Sequence, residues 1–316
     1  MGIIVIGTAF VDIKGFPEGP YLPTGRNMGD VKYVHGGVAR NVVEDIANLE
    51  LRPTYVGIVD DTPLGKDVLQ KLQRHKINTD YVLVRPDGMG LWLAVFDSNG
   101  DLAGSISKRP DSYALLELLE SKGDEIFRDG DAVVVQVDLH KDIVKKVLEL
   151  AEKYRIKTYA VVANMSIAAE RRDMLQRFDC FICKEQEAEL LFLEDYIDKQ
   201  PEQIQASLAD KVLRARIPSM VVTLGEKGSV YADQEGNSGY CPARKVEVKD
   251  TTGAGDAFCA GVASGLTYGK TLAEAVEIGT LLSASVIVSS ENVCPRFLPE
   301  EFGLNYPGEK SENKKA

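Results

Sequence analysis

Residues 131–163 read DAVVVQVDLHKDIVKKVLELAEKYRIKTYAVVA. The run 131–137 is apolar almost without alternation, 140–155 repeats at helical period, and 156–163 is apolar again. A strand that is apolar on both faces is buried on both faces, so two of them flanking a helix belong in the interior of a parallel sheet. Working outward, Val- and Ile-rich runs recur at 2–9, 54–59, 178–183 and 218–224, mostly separated by helix-period stretches such as 38–50, 62–75 and 201–214. The expected fold class is α/β, with a mainly parallel central sheet and helices on each side. Two segments break the alternation. Segment 13–34 lacks helical period, and in 81–108 alternating Leu91, Leu93 and Val95 lead through Asp97-Ser98-Asn99-Gly100 to Leu102 and Ile106, the pattern of a hairpin. Such strands do not fit the parallel core, so both excursions are expected in a small separate sheet lying over one end of it as a lid.

Composition narrows the function. The chain has 316 residues, with 37 Lys plus Arg against 48 Asp plus Glu and a net charge of −11. That length allows one large domain, or a large one with a small companion. An acidic balance argues against a nucleic-acid partner, because capture of a phosphate backbone needs a basic face to displace counterions. No apolar run approaches the ~18 residues of a membrane helix, and Gly2 to Ala9 reads as a buried strand and not as a leader. Met1-Gly2 is not a myristoylation signal, since Ile6 stands where Ser or Thr is required. The expected location is the cytoplasm. Five cysteines, an odd number, read as reduced thiols, and Cys180-Phe181-Ile182-Cys183 as a buried strand instead of a redox or zinc pair. The tail Pro307 to Ala316, PGEKSENKKA, is expected to be disordered.

The strongest chemical signal is Asp250-Thr251-Thr252-Gly253-Ala254-Gly255-Asp256, followed by small and apolar residues at helical spacing. It reads as a loop feeding a helix. Gly253 and Gly255 let backbone approach a ligand, and the first-turn N–H groups have no partner within the helix, so they present an anion hole suited to phosphate. Asp256, at the start of that helix, is expected to stay ionised in the dipole field and to act as proton acceptor beside the phosphate. A second anchor lies near the N-terminus. Gly36-Gly37-Val38-Ala39-Arg40-Asn41 opens a helix, and Asp12 is expected to end the first strand, where a parallel sheet presents ligand-binding groups. Asp and Asn between them accept from one sugar hydroxyl and donate to another.

Together these segments resemble the ribokinase-like (PfkB) family of carbohydrate and nucleoside kinases. Val56-Gly57-Ile58-Val59-Asp60 with Gly65, and Thr223-Leu224-Gly225 with Gly228, extend the likeness along nearly the whole chain. The resemblance implies a three-layer α/β/α kinase domain over residues 1–306, with the lid excursions at 13–34 and 81–108. It implies ATP as phosphoryl donor and a primary hydroxyl of a sugar or nucleoside as acceptor. Asp256 is then the base, the amides of Gly253, Ala254 and Gly255 the anion hole, and Thr223, Gly225 and Gly228 the nucleotide side. Asp250 and the Thr252 carbonyl would sit beside a monovalent cation such as K+. Within the family, Asp12-Ile13-Lys14-Gly15, Asn27-Met28-Gly29 and Gly36 to Asn41 look most like the pseudouridine kinase branch. The 5′-hydroxyl of pseudouridine is then the acceptor, held by Asp12, Asn27, Gly36, Gly37 and Asn41. A homodimer through the lid is a further expectation. Two positions depart from the family pattern. Lys184-Glu185-Gln186-Glu187 stands where Asn-x-x-Glu is usual, keeping Glu187 for water-mediated Mg2+ and placing Lys184 at the phosphates. Val162-Ala163-Asn164 lacks an Asp that commonly follows that strand.

Other signals carry less. Gly265 to Thr271 misses a P-loop because Ser264 replaces its first glycine; it reads as a helix boundary with Gly269 ending one helix and Thr271 with Glu274 capping the next. His75 and His140 read as surface residues, and His35 as a neighbour of the substrate loop. The competing enzyme reading, a kinase for ribose, a ketohexose or a sugar phosphate, needs a cationic clamp from Lys14, Arg26, Lys108 or Arg109. The non-enzyme reading is a binding paralogue weakened at Lys184 and Ala163.

Overall fold

The strand at residues 4–6 is buried on every side chain, with Ile4 and Ile6 in one apolar layer and Val5, beside Ile3, in another. Alternation in a pleated strand demands two layers, one on each face of the sheet. The computed structural model describes residues 2–164, 170 and 172–304. The expected disordered tail at 307–316 lies outside the described residues.

Among the described residues, the large sheet has nine strands: β1 (Ile4–Ile6), β4 (Thr54–Val59), β5 (Asn78–Val84), β8 (Ala132–Gln136), β9 (Lys157–Val161), β10 (Cys180–Lys184), β11 (Ser219–Thr223), β12 (Ser229–Asp233) and β13 (Ser238–Cys241). Their order is β13-β12-β11-β10-β9-β8-β1-β4-β5. Pairing is parallel from β5 to β11, and β12 and β13 run antiparallel at one edge. Four helices, α3 (Ala114–Phe127), α4 (Lys141–Tyr154), α5 (Glu185–Phe192) and α6 (Pro201–Ala215), bury their apolar stripes in one layer. The other four, α1 (Val38–Asn48), α2 (Pro63–Arg74), α7 (Ala254–Thr267) and α8 (Leu272–Ile287), supply the opposite layer. This is the three-layer α/β/α arrangement. Phe181, at 0% exposure on β10, fills the first layer, and its truncation to Ala is expected to cost about 3–5 kcal/mol.

Local chemistry sets the boundaries. Thr62 caps α2 by accepting from the Gly65 amide, with Pro63 at the first helical position. Thr271 and Glu274 form the expected capping box of α8, and Gly269 turns with φ +90° between α7 and α8. Cys180 and Cys183 point to opposite faces of β10, one in each apolar layer, so they cannot pair.

The small sheet has the order β3-β2-β6-β7, with β2 (Phe10–Pro17), β3 (Gly29–Gly36), β6 (Gly90–Phe96) and β7 (Leu102–Lys108). The β6–β7 pair is the expected hairpin. Two boundaries differ from the sequence reading. Residues 81–84 belong to β5 of the large sheet, where Tyr81 and Val82 pair with Val56 and Gly57. Asp12 does not end the first strand: β1 stops at Ile6, and Asp12 is the third residue of β2. The apolar run 2–9 hid this because Gly7-Thr8-Ala9 continues it without being strand.

Candidate active site

In an open parallel sheet, ligands bind where the strand order reverses, beyond the carboxyl ends of the strands. Here the chain runs outward from β1 to β4 and β5, then returns to β8 on the other side, so the reversal lies between β1 and β8. Thr8, just after β1, donates from its backbone N and its hydroxyl to Gln136 Oε1, both at 3.1 Å. A crevice of about 810 Å³ opens there, with Asp12, Gly37, Asn41, Lys184, Thr252 and Asp256 in its lining. A larger cleft of about 970 Å³ lies between α1, α2 and α8 and contains neither anchor.

The segment expected to hold phosphate is the start of α7. Gly253 has φ +83°, and a Cβ there would fall 2.0 Å from the Asn292 carbonyl oxygen, so only glycine fits. The first carbonyl-directed bond of the helix is Ala257 N to Gly253 O at 2.9 Å, which leaves the amides of the first turn without helical partners. Of these, Ala254 N makes a long 3.3 Å bond to Thr251 O. Gly255 is open, with only Lys184 Cε within 3.8 Å of a built Cβ. Asp256 Oδ2 accepts from Asn41 Nδ2 at 2.6 Å. Burial pushes the Asp256 carboxyl up to about 6, against the Asn41 hydrogen bond and the nearby Lys184 and Arg40 cations. The helix dipole therefore does not dominate, as the sequence reading had it; desolvation does. A carboxyl near 6 is a better-matched proton acceptor at neutral pH than one near 4.

At the acceptor end, Gly37 begins α1 with φ +95°, and a Cβ on Gly36 would lie 2.3 Å from Asp12 Oδ1. Asp12 is 6% exposed, and burial pushes its carboxyl up to about 6. Its β-sheet neighbours Val34 and Trp92, and Ser107 beyond, form one row across all four strands of the small sheet. Asp12, Trp92 and Ser107 of that row face the crevice. Arg40 is 1% exposed and donates to the carbonyls of Gly36 and His35, to Glu44, and to Asn41 Oδ1. That last bond fixes which way the Asn41 amide faces, with its NH2 toward Asp256.

On the side where the sequence pointed to a nucleotide, Lys184 ends β10 at the crevice, and its backbone N–H donates to Glu187 Oε2 at 2.7 Å. Glu187 is 6% exposed and its carboxyl is pushed up by burial, with the Asp138 charge adding to the rise. Thr223, Gly225 and Gly228 lie past the crevice lining at the end of β11. Thr223 Oγ1 donates to Cys183 O at 3.4 Å, and Gly225 and Gly228 take φ +60° and +99° in a tight turn closed by Leu224 N to Gly228 O at 2.7 Å.

Several residues fall elsewhere than expected. Asn27 is not at the crevice; its side chain bridges Leu22 N and Leu22 O across the lid turn at 2.9 and 3.0 Å. Asp250 and Thr252 do come together, and the Asp250 carboxylate and the Thr252 hydroxyl, where the sequence pointed to the Thr252 carbonyl, meet the ammonium of Lys14, at 3.1 Å from Asp250 Oδ2 and from Thr252 Oγ1. Lys108 is paired with Asp87 at 2.6 Å. Of the proposed sugar-phosphate clamp, Arg109 alone faces the crevice. His35 is paired with Asp67 at 2.9 Å, and His140, read as surface, lies on the crevice rim.

The sequence reading missed Asp138, Arg40 and Gln136. Asp138 follows the last residue pair of β8, lines the crevice, and accepts from the Ala163 amide at 3.1 Å. The carboxylate missing after β9 is thus matched by one from the neighbouring strand. Its signal was visible as the first acid after the apolar run 131–137. Among the described residues, no group of three or more His, Cys, Asp or Glu is placed to hold a metal by itself. Glu187 and Asp138 fit an ion that keeps most of its waters and binds through one or two carboxylates and substrate phosphates, as Mg2+ does.

The sequence pattern of the pfkB family carbohydrate kinases matches residues 2–299. A guanosine-inosine kinase from Exiguobacterium acetylicum is 36% identical over 298 residues, which cover 92% of this chain and 95% of the relative. The pseudouridine kinase of Escherichia coli K12 is 24% identical over 275 residues, covering 87% and 86%. In fold, the chain is similar to the Arabidopsis thaliana ribokinase solved with ribose and ATP, at TM-score 0.79 and 21% identity over 95% of this chain and 97% of that one.

Proposed function

The chain belongs to the pfkB family of carbohydrate kinases, and from that premise we propose that it phosphorylates the 5′-hydroxyl of a ribonucleoside with ATP. A purine nucleoside such as inosine or guanosine is the leading acceptor, on the strength of the 36% identical guanosine-inosine kinase. Pseudouridine, expected from the sequence, is the second reading and has the 24% identical relative behind it. The observation that carries the proposal is the 2.6 Å contact between Asn41 and Asp256, which joins the acceptor anchor to the phosphate anchor inside one crevice. A nucleoside is favoured over a free sugar because Phe10, Trp92 and Tyr113 also line the crevice and offer flat apolar surface to a base. A sugar phosphate is disfavoured because Lys14 and Lys108 are already paired, which leaves Arg109 as the single clamp candidate in the crevice lining.

In this reading Asp12 grips ribose hydroxyls and Asp256 Oδ takes the proton of the 5′-hydroxyl as its oxygen bonds to the γ-phosphorus. The bridging bond to the β-phosphate breaks and ADP leaves. The α7 amides and Lys184 stabilise the transferring oxygens. Mg2+, when bound, neutralises phosphate charge, and Glu187 with Asp138 would hold it through water. The small sheet acts as a lid on one kinase domain spanning 1–306. Its outer row Tyr33, Ile13, Leu93 and Ile106 runs across four strands, with Tyr33, Leu93 and Ile106 exposed, and we assign that face to a homodimer contact. Among the described residues no helix is long and apolar enough to cross a membrane, and we assign the enzyme to the cytoplasm, where thiols stay reduced.

The test is a panel of inosine, guanosine, adenosine, pseudouridine, uridine, ribose and fructose 6-phosphate, with ADP release as readout. A purine nucleoside is expected to lead ribose and the sugar phosphate by about 100-fold or more in kcat/KM. Preference for fructose 6-phosphate would sink the nucleoside assignment.

A further inference from the structure

Lys14 is 3% exposed, and an ammonium that far from water is costly unless its charge is met. It sits in β2 of the small sheet, two residues after Asp12 and on the same face. Its Nζ reaches across to the large sheet's catalytic loop, 3.1 Å from Asp250 Oδ2 and 3.1 Å from Thr252 Oγ1. The other Asp250 oxygen is also committed, accepting from Thr252 N at 2.8 Å and from Thr252 Oγ1 at 2.7 Å. Both oxygens of the carboxylate are therefore engaged within the protein, and the turn they shape runs straight into Gly253 and the first amides of α7.

A free monovalent cation at the Asp250 carboxylate and the Thr252 hydroxyl would have to displace Lys14, which would then be left buried and unpaired. The residues present do not fit an added ion at those oxygens. We propose that Lys14 is a positioning residue which supplies, from the lid strand, the cation that the 250–252 turn requires, so that phosphoryl transfer proceeds without K+. The same contact ties the seating of the lid to the shape of the anion hole. This extends the kinase reading of the site, and rests on it only for the rate measurement.

The experiment compares wild type, Lys14→Ala and Lys14→Met in tetramethylammonium, potassium and ammonium chloride at constant ionic strength, with the best acceptor of the panel. Wild-type kcat is expected to vary by less than about threefold among the salts. Lys14→Ala is expected to lose about a hundredfold in kcat, the scale of a misplaced catalytic group, and to regain a large part of it with ammonium, which refills the vacated position. Lys14→Met fills the space without charge and is expected to show the loss without the rescue. Melting temperature is the second readout and needs no acceptor: ammonium is expected to raise that of Lys14→Ala relative to tetramethylammonium and leave the wild type unchanged. Larger activation of the wild type by K+, an unimpaired Lys14→Ala, or a deficit that ammonium restores in neither rate nor melting would each overturn the proposal. If no acceptor in the panel turns over while the melting behaviour holds, the acceptor assignment fails and Lys14 stands as the occupant of the cation position at the 250–252 turn.

Discussion

Helices α1 and α7 begin alike and continue differently. Each opens on a positive-φ glycine, Gly37 or Gly253, pressed against foreign backbone, and neither has a side-chain cap. Beyond the first turn, α1 buries Arg40, Asn41, Glu44, Asp45 and Asn48, all at 8% exposure or less, while α7 buries Ala257, Phe258, Cys259, Ala260, Val262 and Ala263. The difference separates two tasks. On α7 an apolar body anchors a helix start whose first-turn amides lack helical partners and whose Asp256 lines the crevice. On α1 a chain of charges fixes one amide: Glu44, held ionised by Arg40, Lys71 and His75 despite its burial, steadies Arg40, and Arg40 orients Asn41. Polar burial of that kind stabilises little by itself and specifies geometry instead.

Removing the acid of α7 is the largest expected break. Asp256→Asn is expected to lower kcat by about 10⁴-fold, the upper range for a general base, with nucleoside binding by calorimetry nearly unchanged. Its stability should move the other way. The Asp256 carboxyl titrates at about 6 when folded against an ordinary 3.8, so its stabilising contribution is present below 3.8 and is lost as pH rises through 6. At pH 7.5 the wild type bears that penalty, and the Asn variant is expected to melt at a higher temperature. A wild-type rate in this variant would remove Asp256 from the chemistry.

The glycines come next. Gly253→Ala puts a Cβ 2.0 Å from Asn292 O, and Gly37→Ala puts one 2.8 Å from Phe10 N and Thr8 O. Each is expected to cost about 2–4 kcal/mol in urea unfolding, with the Gly253 variant the worse of the two. Equal costs would mean that φ alone, and not the close approach, sets the requirement.

Asn41→Leu tests the link between the helices. It deletes the hydrogen bond that lowers the Asp256 carboxyl, so the acid limb of kcat is expected to move to higher pH by about one unit. Arg40→Met should move it the same way by less. An unmoved limb in both would deny α1 its orienting role.

The finest comparison is in the wild-type pH profile. Asp12 and Asp256 are both pushed up to about 6 by burial, with the Asp12 charge adding to the rise at Asp256 and the Asp250 charge adding to that at Asp12. Activity is expected above that pH and lost below it, with log kcat/KM falling with slope two through the pair. Asp12→Asn should leave a slope of one.

The sheet, its two helical layers and the small sheet were legible because apolar period reports burial directly. Residues 250–256 and 36–41 were legible as anchors because glycine spacing and a helix start are local facts. What escaped depends on pairs brought together only by the fold. Arg40 looked like an ordinary helix residue, since nothing in the chain reveals that Glu44, His35 O and Asn41 surround it. Asp138 stood one strand away from where its charge was sought. Asn27 carried sugar-binding chemistry but used it locally, on its own turn. Lys14 stood as one of four candidate clamps in the competing sugar-phosphate reading because its partner lies 236 positions along the chain.

The crevice takes Asp12 from the small sheet and Asp256 from the first turn of helix α7, in one of the layers that cover the large sheet. In the proposed reading, acceptor choice and the proton acceptor are therefore written on separate pieces of polypeptide, with Lys14 as the contact between them. On that proposal, drift in residues such as Trp92 or Ser107 would retune which alcohol is admitted while Asp256 and its helix stay untouched, and this would give a lineage room to change diet without relearning its reaction.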